Sequence, residues 1–269
     1  MNSYIKRFVL VGLALALAAC TRFNASSMFQ SSNQPEHLTV KVIAKIPHDP
    51  TSFTEGLVWV DGTIYESAGD YIQSTLRAVD AQTGRVLQKI NLPANIFGEG
   101  LALVGNNLIQ LTWKEGIAFI YDRTTLRQIG TLTYKGEGWG QCYDGTQIYM
   151  SDGSSTLTVR DPKTFSVIRQ FQVTEAGNPI DQLNELECVG DSLYENVWHS
   201  NNILKIDKAT REVTAVIDAS GLLTAQETTK AGSEGVLNGI AYDSQKQDFI
   251  ITGKLWPWMF EVQFVASGS

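Results

Sequence analysis

The sequence predicts an all-β fold, a five-bladed β-propeller with four antiparallel strands per blade, and three observations carry that prediction. A short theme returns along the chain as Phe53-Thr54-Glu55-Gly56-Leu57, Phe97-Gly98-Glu99-Gly100-Leu101, Leu183-Asn184-Glu185-Leu186 and Leu237-Asn238-Gly239-Ile240. A turn returns with it, read as Asp80-Ala81-Gln82-Thr83, Asp122-Arg123-Thr124-Thr125, Asp161-Pro162-Lys163-Thr164 and Asp207-Lys208-Ala209-Thr210. Between these marks lie short stretches that alternate apolar with small or polar residues. A period of about 40 to 50 residues with four such stretches is the pattern of propeller blades.

Taken in order, the chain opens with Lys6-Arg7, an apolar run over 8–17 and Leu17-Ala18-Ala19-Cys20. Residues 1–19 read as a secretory signal, since the run is too short for a membrane span. The last four residues resemble a bacterial lipobox, which makes Cys20 the lipidated first residue of the mature chain. Residues 20–36, rich in Ser, Asn and Gln, form a flexible tether, and 37–269 is the propeller domain. No acidic residue follows Cys20, so the lipoprotein is expected at the outer membrane of a cell envelope, facing the periplasm.

In the first unit the strands fall at 57–59, 63–67, 76–79 and 86–90, and in the second at 101–104, 108–113, 118–121 and 128–132. The fifth unit, from Leu237, has strands for only three positions. Its missing outer strand is available at 38–47, which looks like the fourth strands, so one blade is built from both ends of the chain and no edge stays free. The stretch 224–235 reads as a surface loop.

A formal net charge of −7 removes the electrostatic case for nucleic acid. Cys142 and Cys188, the other two cysteines, have no metal-ligand spacing; they read as two buried thiols or as a disulfide, with the thiols slightly favoured. The three histidines, His37, His48 and His199, are scattered, and neither a metal nor a cofactor is expected.

First strands begin, and second strands end, at one rim around the channel mouth. That register brings Phe53, Glu55, Phe97, Glu99, Trp139, Asn184 and Asn238 together with Trp113, Trp198, Lys254 and Trp256. One carboxylate pair, two carboxamides, one ammonium and several indoles suit a pocket for a small molecule or a peptide end. Each has a plainer use: Gly56 and Gly100 as turn devices, Lys254 as a salt bridge, and the tryptophans as wedges between blades, the role assigned to Trp59 and Trp258.

At these residues the chain resembles the plant and bacterial type of glutaminyl-peptide cyclotransferase. The resemblance is carried by Pro47-His48-Asp49-Pro50-Thr51-Ser52-Phe53-Thr54-Glu55-Gly56-Leu57, Phe97-Gly98-Glu99-Gly100-Leu101, Leu111-Thr112-Trp113-Lys114, Gly136-Glu137-Gly138-Trp139-Gly140, the segments leading to Asn196-Val197-Trp198, and Leu237-Asn238-Gly239-Ile240-Ala241 through Thr252-Gly253-Lys254. It implies a five-bladed propeller that cyclises an N-terminal glutamine to pyroglutamate with release of ammonia. It carries catalytic roles onto Glu99, Asn184 and Lys254, and pocket-shaping roles onto Phe53, Trp113, Trp139 and Trp198. Glu55, where relatives also carry Gln, is a substrate-binding residue by this resemblance, and Phe97 and Asn238 join it by their place on the rim. The implied partners are peptides or proteins with N-terminal glutamine; the chain is expected to be a monomer that touches membrane only through Cys20. Two other readings compete: a calcium-dependent propeller lactonase, against which the low count of channel carboxylates speaks, and a non-catalytic envelope scaffold.

Overall fold

The computed structural model describes Met1 and residues 34–268, so the signal segment, Cys20 and the tether as far as residue 33 lie outside the described residues. The fold is all-β and consists of small antiparallel sheets. A long strand, β1 (Glu36–Pro47), precedes a first sheet of β2 (Thr54–Val60), β3 (Thr63–Ala68), β4 (Thr75–Asp80) and β5 (Val86–Asn91). The second sheet holds β6 (Gly98–Val104), β7 (Asn107–Thr112), β8 (Ile117–Asp122) and β9 (Gln128–Thr133). The third holds β10 (Gln141–Tyr143), β11 (Ile148–Met150), β12 (Thr156–Arg160) and β13 (Val167–Gln172), and a two-stranded ribbon of β14 (Thr174–Glu175) and β15 (Asn178–Pro179) follows it.

Next come β16 (Leu183–Val189), β17 (Ser192–Val197), β18 (Asn202–Asp207) and β19 (Val213–Asp218), then β20 (Leu237–Asp243), β21 (Asp248–Gly253) and β22 (Trp258–Ala266). β1 lies antiparallel beside β22 from Leu38 to Pro47, the place foreseen for it. Its first residues also run parallel to β19, pairing Glu36 with Ala215 and Thr39 with Asp218, which merges the last two groups into one eight-stranded sheet.

The stretch 224–235 is not simply a loop. It contains α1 (Ala225–Ala231), started by a capping box in which Thr224 Oγ1 accepts the Glu227 N–H while the Glu227 carboxylate accepts the Thr224 N–H.

The repeated turn has one cause. Asp80 Oδ1 accepts the Thr83 N–H at 2.8 Å and its hydroxyl at 2.7 Å, and Asp122, Asp161 and Asp207 do the same with Thr125, Thr164 and Thr210. Each aspartate replaces the backbone partners that a tight turn leaves open.

Apolar faces pack sheet against sheet in series. Leu76 of the first sheet meets Leu101 and Leu108 of the second, and Ile109 and Leu111 of the second meet Ile148 and Met150 of the third. Tyr149 and Leu157 meet Leu186 and Leu193, Ile203 and Ile217 meet Leu237 and Ile251, and Ala241, Ile250 and Met259 return to Leu57 and Ile64 of the first sheet. Each fully buried Leu, Ile or Met among them contributes about 1.5–3 kcal/mol.

The first strands approach so closely that side chains are excluded between them. A Cβ on Gly56 would lie 2.5 Å from the Leu101 nitrogen, and one on Gly100 would lie 2.7 Å from the Gln141 nitrogen. These glycines are therefore close-approach residues, not the turn devices that the sequence allowed. The same proximity corrects the cysteine reading. Cys142 on β10 and Cys188 on β16 have their Cα atoms 5.5 Å apart and form a disulfide.

Candidate functional site

The recurring theme is a β-bulge. The register shifts between Thr54 and Gly56, between Gly98 and Leu101, between Leu183 and Leu186, and between Leu237 and Ile240. An extra residue at the head of a strand bends it and re-aims a side chain. Glu55, Glu99, Asn184 and Asn238 all sit within these shifts, which is why polar residues recur where a strand should carry apolar ones. All four are buried.

The second strands supply the rest. Trp113 follows β7, and its N–H donates to the Phe97 carbonyl at 3.0 Å; Trp198 follows β17 and donates to the Gln182 carbonyl at 2.8 Å. Lys254 follows β21, held by its N–H on the Val236 carbonyl at 2.9 Å and by the Leu255 N–H on the Ser52 carbonyl at 2.7 Å.

Together they enclose a pocket of about 250 Å³. Its polar floor consists of Glu55, Glu99, Asn184 and Lys254, and its walls are Phe53, Phe97, Trp113, Trp139 and Trp198. The walls form two aromatic groups: Phe97 meets Phe53 edge-on at 6.1 Å and Trp113 at 5.5 Å, and Trp139 meets Trp198 edge-on at 5.6 Å.

The floor is electrostatically polarised. Lys254 Nζ donates to Glu55 Oε1 at 2.6 Å and lies 4.5 Å from the Phe53 ring centre. Asn238 Nδ2 donates to Glu55 Oε2 at 2.9 Å and to the Thr54 carbonyl at 3.0 Å. Burial raises the Glu55 carboxyl, while Lys254, then a hydrogen bond from Glu99, oppose that rise. Burial, and next to it the charge of Glu55, push Glu99 well above the usual carboxylate range, against the weaker pull of Lys254. Glu99 is thus the member of the pair that holds the proton. The Asn184 carboxamide oxygen is buried and has no hydrogen-bond partner among the described residues.

Nine of the ten pocket residues expected from sequence line the cavity. Asn238 does not: it stands behind Glu55 and orients that carboxylate, so its expected contact with substrate is corrected to a supporting one. Trp256 also leaves the rim. It packs edge-on against Phe260 in the core, and its indole N–H donates to the Gly235 carbonyl at 2.8 Å. Trp258 donates to Glu227 Oε1 at 2.6 Å, in the packing role foreseen for it.

Four acidic residues escaped the sequence reading. Glu234, beyond α1, lines the pocket. Glu137 Oε2 accepts both pocket indoles, from Trp113 Nε1 at 2.7 Å and from Trp139 Nε1 at 3.0 Å. Glu185 and Glu195 are fully buried, so the carboxylate count behind the expected single pair was too low. Glu185 accepts the Leu57 N–H at 3.2 Å and the Ile240 N–H at 2.7 Å, tying three bulged strands together, while neither Glu195 oxygen has a partner among the described residues. Burial pushes both carboxyls well above their ordinary value. Among the described residues no group of three or more His, Cys, Asp and Glu is arranged to hold a metal ion.

A proton-holding carboxyl beside a charged one, under an aromatic mouth that excludes water, suits proton transfer at a small polar group. Fold and pocket together define a propeller-like enzyme of the acid–base kind. Comparison with known proteins makes this particular. The family model described as glutamine cyclotransferase matches residues 11–264. The glutaminyl-peptide cyclotransferase of Arabidopsis thaliana is 37% identical over 270 residues, which cover 96% of this chain and 84% of that one. The crystal structure of the Myxococcus xanthus glutaminyl cyclase superposes with a TM-score of 0.79 at 39% identity, covering 86% of this chain and 99% of that one. The WD40 repeats of RRP9 share the fold alone, with a TM-score of 0.52 at 11% identity over 84% of this chain and 97% of that one. The chain belongs to the glutamine cyclotransferase family.

Proposed function

We propose that the chain is a glutaminyl-peptide cyclotransferase that converts the N-terminal glutamine of peptides or proteins to pyroglutamate, with Glu99 as its proton shuttle. The observation that carries this reading is the asymmetry of the carboxyl pair: Lys254 and Asn238 hold Glu55, whereas Glu99 is left as the basic member facing the cavity.

The chemistry follows from where protons must go. An α-amine with a pKa near 7.7–8.0 attacks only when neutral. Ionised Glu99 takes a proton from the amine as its nitrogen bonds to the side-chain amide carbon, and negative charge collects on the former carbonyl oxygen. Lys254 Nζ and the Asn184 amide group are the donors for that oxygen. Glu99 then returns the proton to the amide nitrogen, the carbon–nitrogen bond breaks, and ammonia leaves. The Asn184 carboxamide oxygen is free to accept an N–H of the substrate, and the indoles fold the side chain over its own amine, which suits an intramolecular closure. Glu137 keeps two of those indoles in place.

The reading extends to architecture and location. The serial packing of sheets, with the last returning to the first, supports a five-bladed ring closed by β1. The segment Leu17-Ala18-Ala19-Cys20 supports a lipid-anchored envelope protein facing the periplasm, and the Cys142–Cys188 disulfide suits that oxidising compartment. Incubation with a Gln-initiated dipeptide and an ammonia assay test the activity. No ammonia above the uncatalysed rate would reject it.

A further inference from the structure

Arg160 is a buried cation without a counter-ion. It is 5% exposed, and none of the ion pairs among the described residues involves it. Its guanidinium is held from three sides by neutral groups. Nε points to Met150 Sδ at 3.0 Å, Nη1 donates to the Phe165 carbonyl at 3.0 Å, and the Phe165 and Tyr134 rings lie 4.9 and 5.5 Å away. Nη2 makes no protein hydrogen bond, and it is not among the sealed, unpartnered atoms of the interior. A buried charge of this kind is strongly unfavourable unless something compensates it.

Arg160 lines a cavity of about 320 Å³ between the second and third sheets. Thr158, Ser166 and Lys135 also line it. Thr158 Oγ1 accepts Gln170 Nε2 at 2.9 Å, which leaves the hydroxyl proton free to donate. Two carboxylates line the cavity as well, and both are already engaged: Glu137 by the two indoles and Lys114, and Asp152 by the N–H and hydroxyl of Ser154. Neither neutralises Arg160.

We propose that this inter-sheet cavity is an anion-binding site, distinct from the cyclisation pocket, in which the planar guanidinium of Arg160 receives a small oxyanion and Thr158 completes its coordination. Phosphate, sulfate and carboxylate share the required chemistry. They differ in source, the first two being free ions and the last also a side chain of another protein.

Calorimetric titration of the full chain with phosphate, sulfate and acetate, at constant ionic strength kept with chloride, tests the site. Saturable one-to-one binding is expected. Arg160→Met, which keeps the aliphatic volume, should weaken it about tenfold or more, as expected for loss of a charge-assisted bond. Binding of phosphate or sulfate assigns a free inorganic oxyanion, and binding of acetate alone assigns a carboxylate. No saturable binding by any of the three, or equal affinity in Arg160→Met, overturns the site. Should Arg160→Met fail to fold, crystals of the unaltered chain soaked in selenate decide the matter: density at Arg160 Nη2 supports the proposal, and its absence there refutes it.

Discussion

Replacing Glu99 with Gln keeps the size and hydrogen-bonding reach of the side chain while removing its ability to carry a proton. General acid–base catalysis is worth about a hundred- to ten-thousandfold in rate, or roughly 2.7–5.4 kcal/mol of barrier at 1.36 kcal/mol per tenfold. Turnover of a Gln-initiated peptide by Glu99→Gln should fall within that range. Stability provides the control. A carboxyl raised in the folded state contributes stability at pH values below its unfolded pKa, and this is lost as pH rises through the folded value. Gln removes that loss, so Glu99→Gln should melt at or above the temperature of the unaltered chain at pH 8. Glu55→Gln is the companion variant. It takes away the like charge that helps to raise Glu99 and leaves Lys254 to Glu99. Most turnover at neutral pH should remain, and the acid limb of the rate profile should move to lower pH. Ammonia release measured across pH for both variants tests the scheme. Equal and small losses in the two, with an unmoved acid limb, would refute Glu99 as the shuttle.

Three further outcomes can be checked by melting and turnover. Glu66 accepts His48 Nε2 at 2.9 Å, Ser52 Oγ at 2.5 Å and Thr54 Oγ1 at 2.7 Å, and these partners with Arg77 overcome burial to hold its carboxyl at about 2. Breaking a buried pair costs about 3–5 kcal/mol, so Glu66→Ala should lower Tm by roughly 6–20 °C at neutral pH, and a shift within scan error would discount the network. In Glu195→Gln the melting temperature should depend less on pH above the ordinary carboxylate range, because the buried carboxyl it replaces must otherwise ionise without a partner. Deleting residues 1–47 removes β1 from between β22 and β19, and cooperative unfolding should disappear, whereas a chain starting at Gln34 should remain soluble and active.

The rim was legible because a repeat converts one ambiguous residue into a position. A single Glu before Gly says little, but Glu55, Glu99 and Asn184 at the same place in three of the repeated units can only share one environment. Residues outside the repeat had no such signal. Glu234 belongs to the stretch inserted before the last unit, and Glu137 acts through the indole of a neighbour. Glu195 reads as the polar face of an ordinary strand, because sequence does not tell that inner strands are covered on both faces. Trp256 misled for a backbone reason: Leu255 has φ of 60°, a left-handed step that turns the chain between Lys254 in the pocket and Trp256 in the core. The disulfide depended on the register between two sheets. The helix was legible, since Thr224-Ala225-Gln226-Glu227 is a capping box that the loop reading passed over.

The distribution of buried acids sets activity against stability on the pH scale. Glu66 is held low, and so are the turn aspartates, Asp80 first by its hydrogen bond from the Thr83 hydroxyl and then by the Thr83 N–H. Their contribution is present above the unfolded carboxylate value and lost as pH falls toward about 2, the value for Glu66. Glu99, Glu185 and Glu195 are held high, so their contribution runs the other way and fades as pH rises. His48, which burial lowers but Glu66 raises further, fades on the same side. The fold should therefore be most stable at mildly acidic pH, which melting measured across pH checks. In the proposed scheme cyclisation needs an ionised Glu99 and a neutral amine, both of which favour the alkaline side. The optimum for turnover should lie above the optimum for stability, with the serial packing of the sheets and the disulfide holding the bulged strands while the floor of the pocket carries charge.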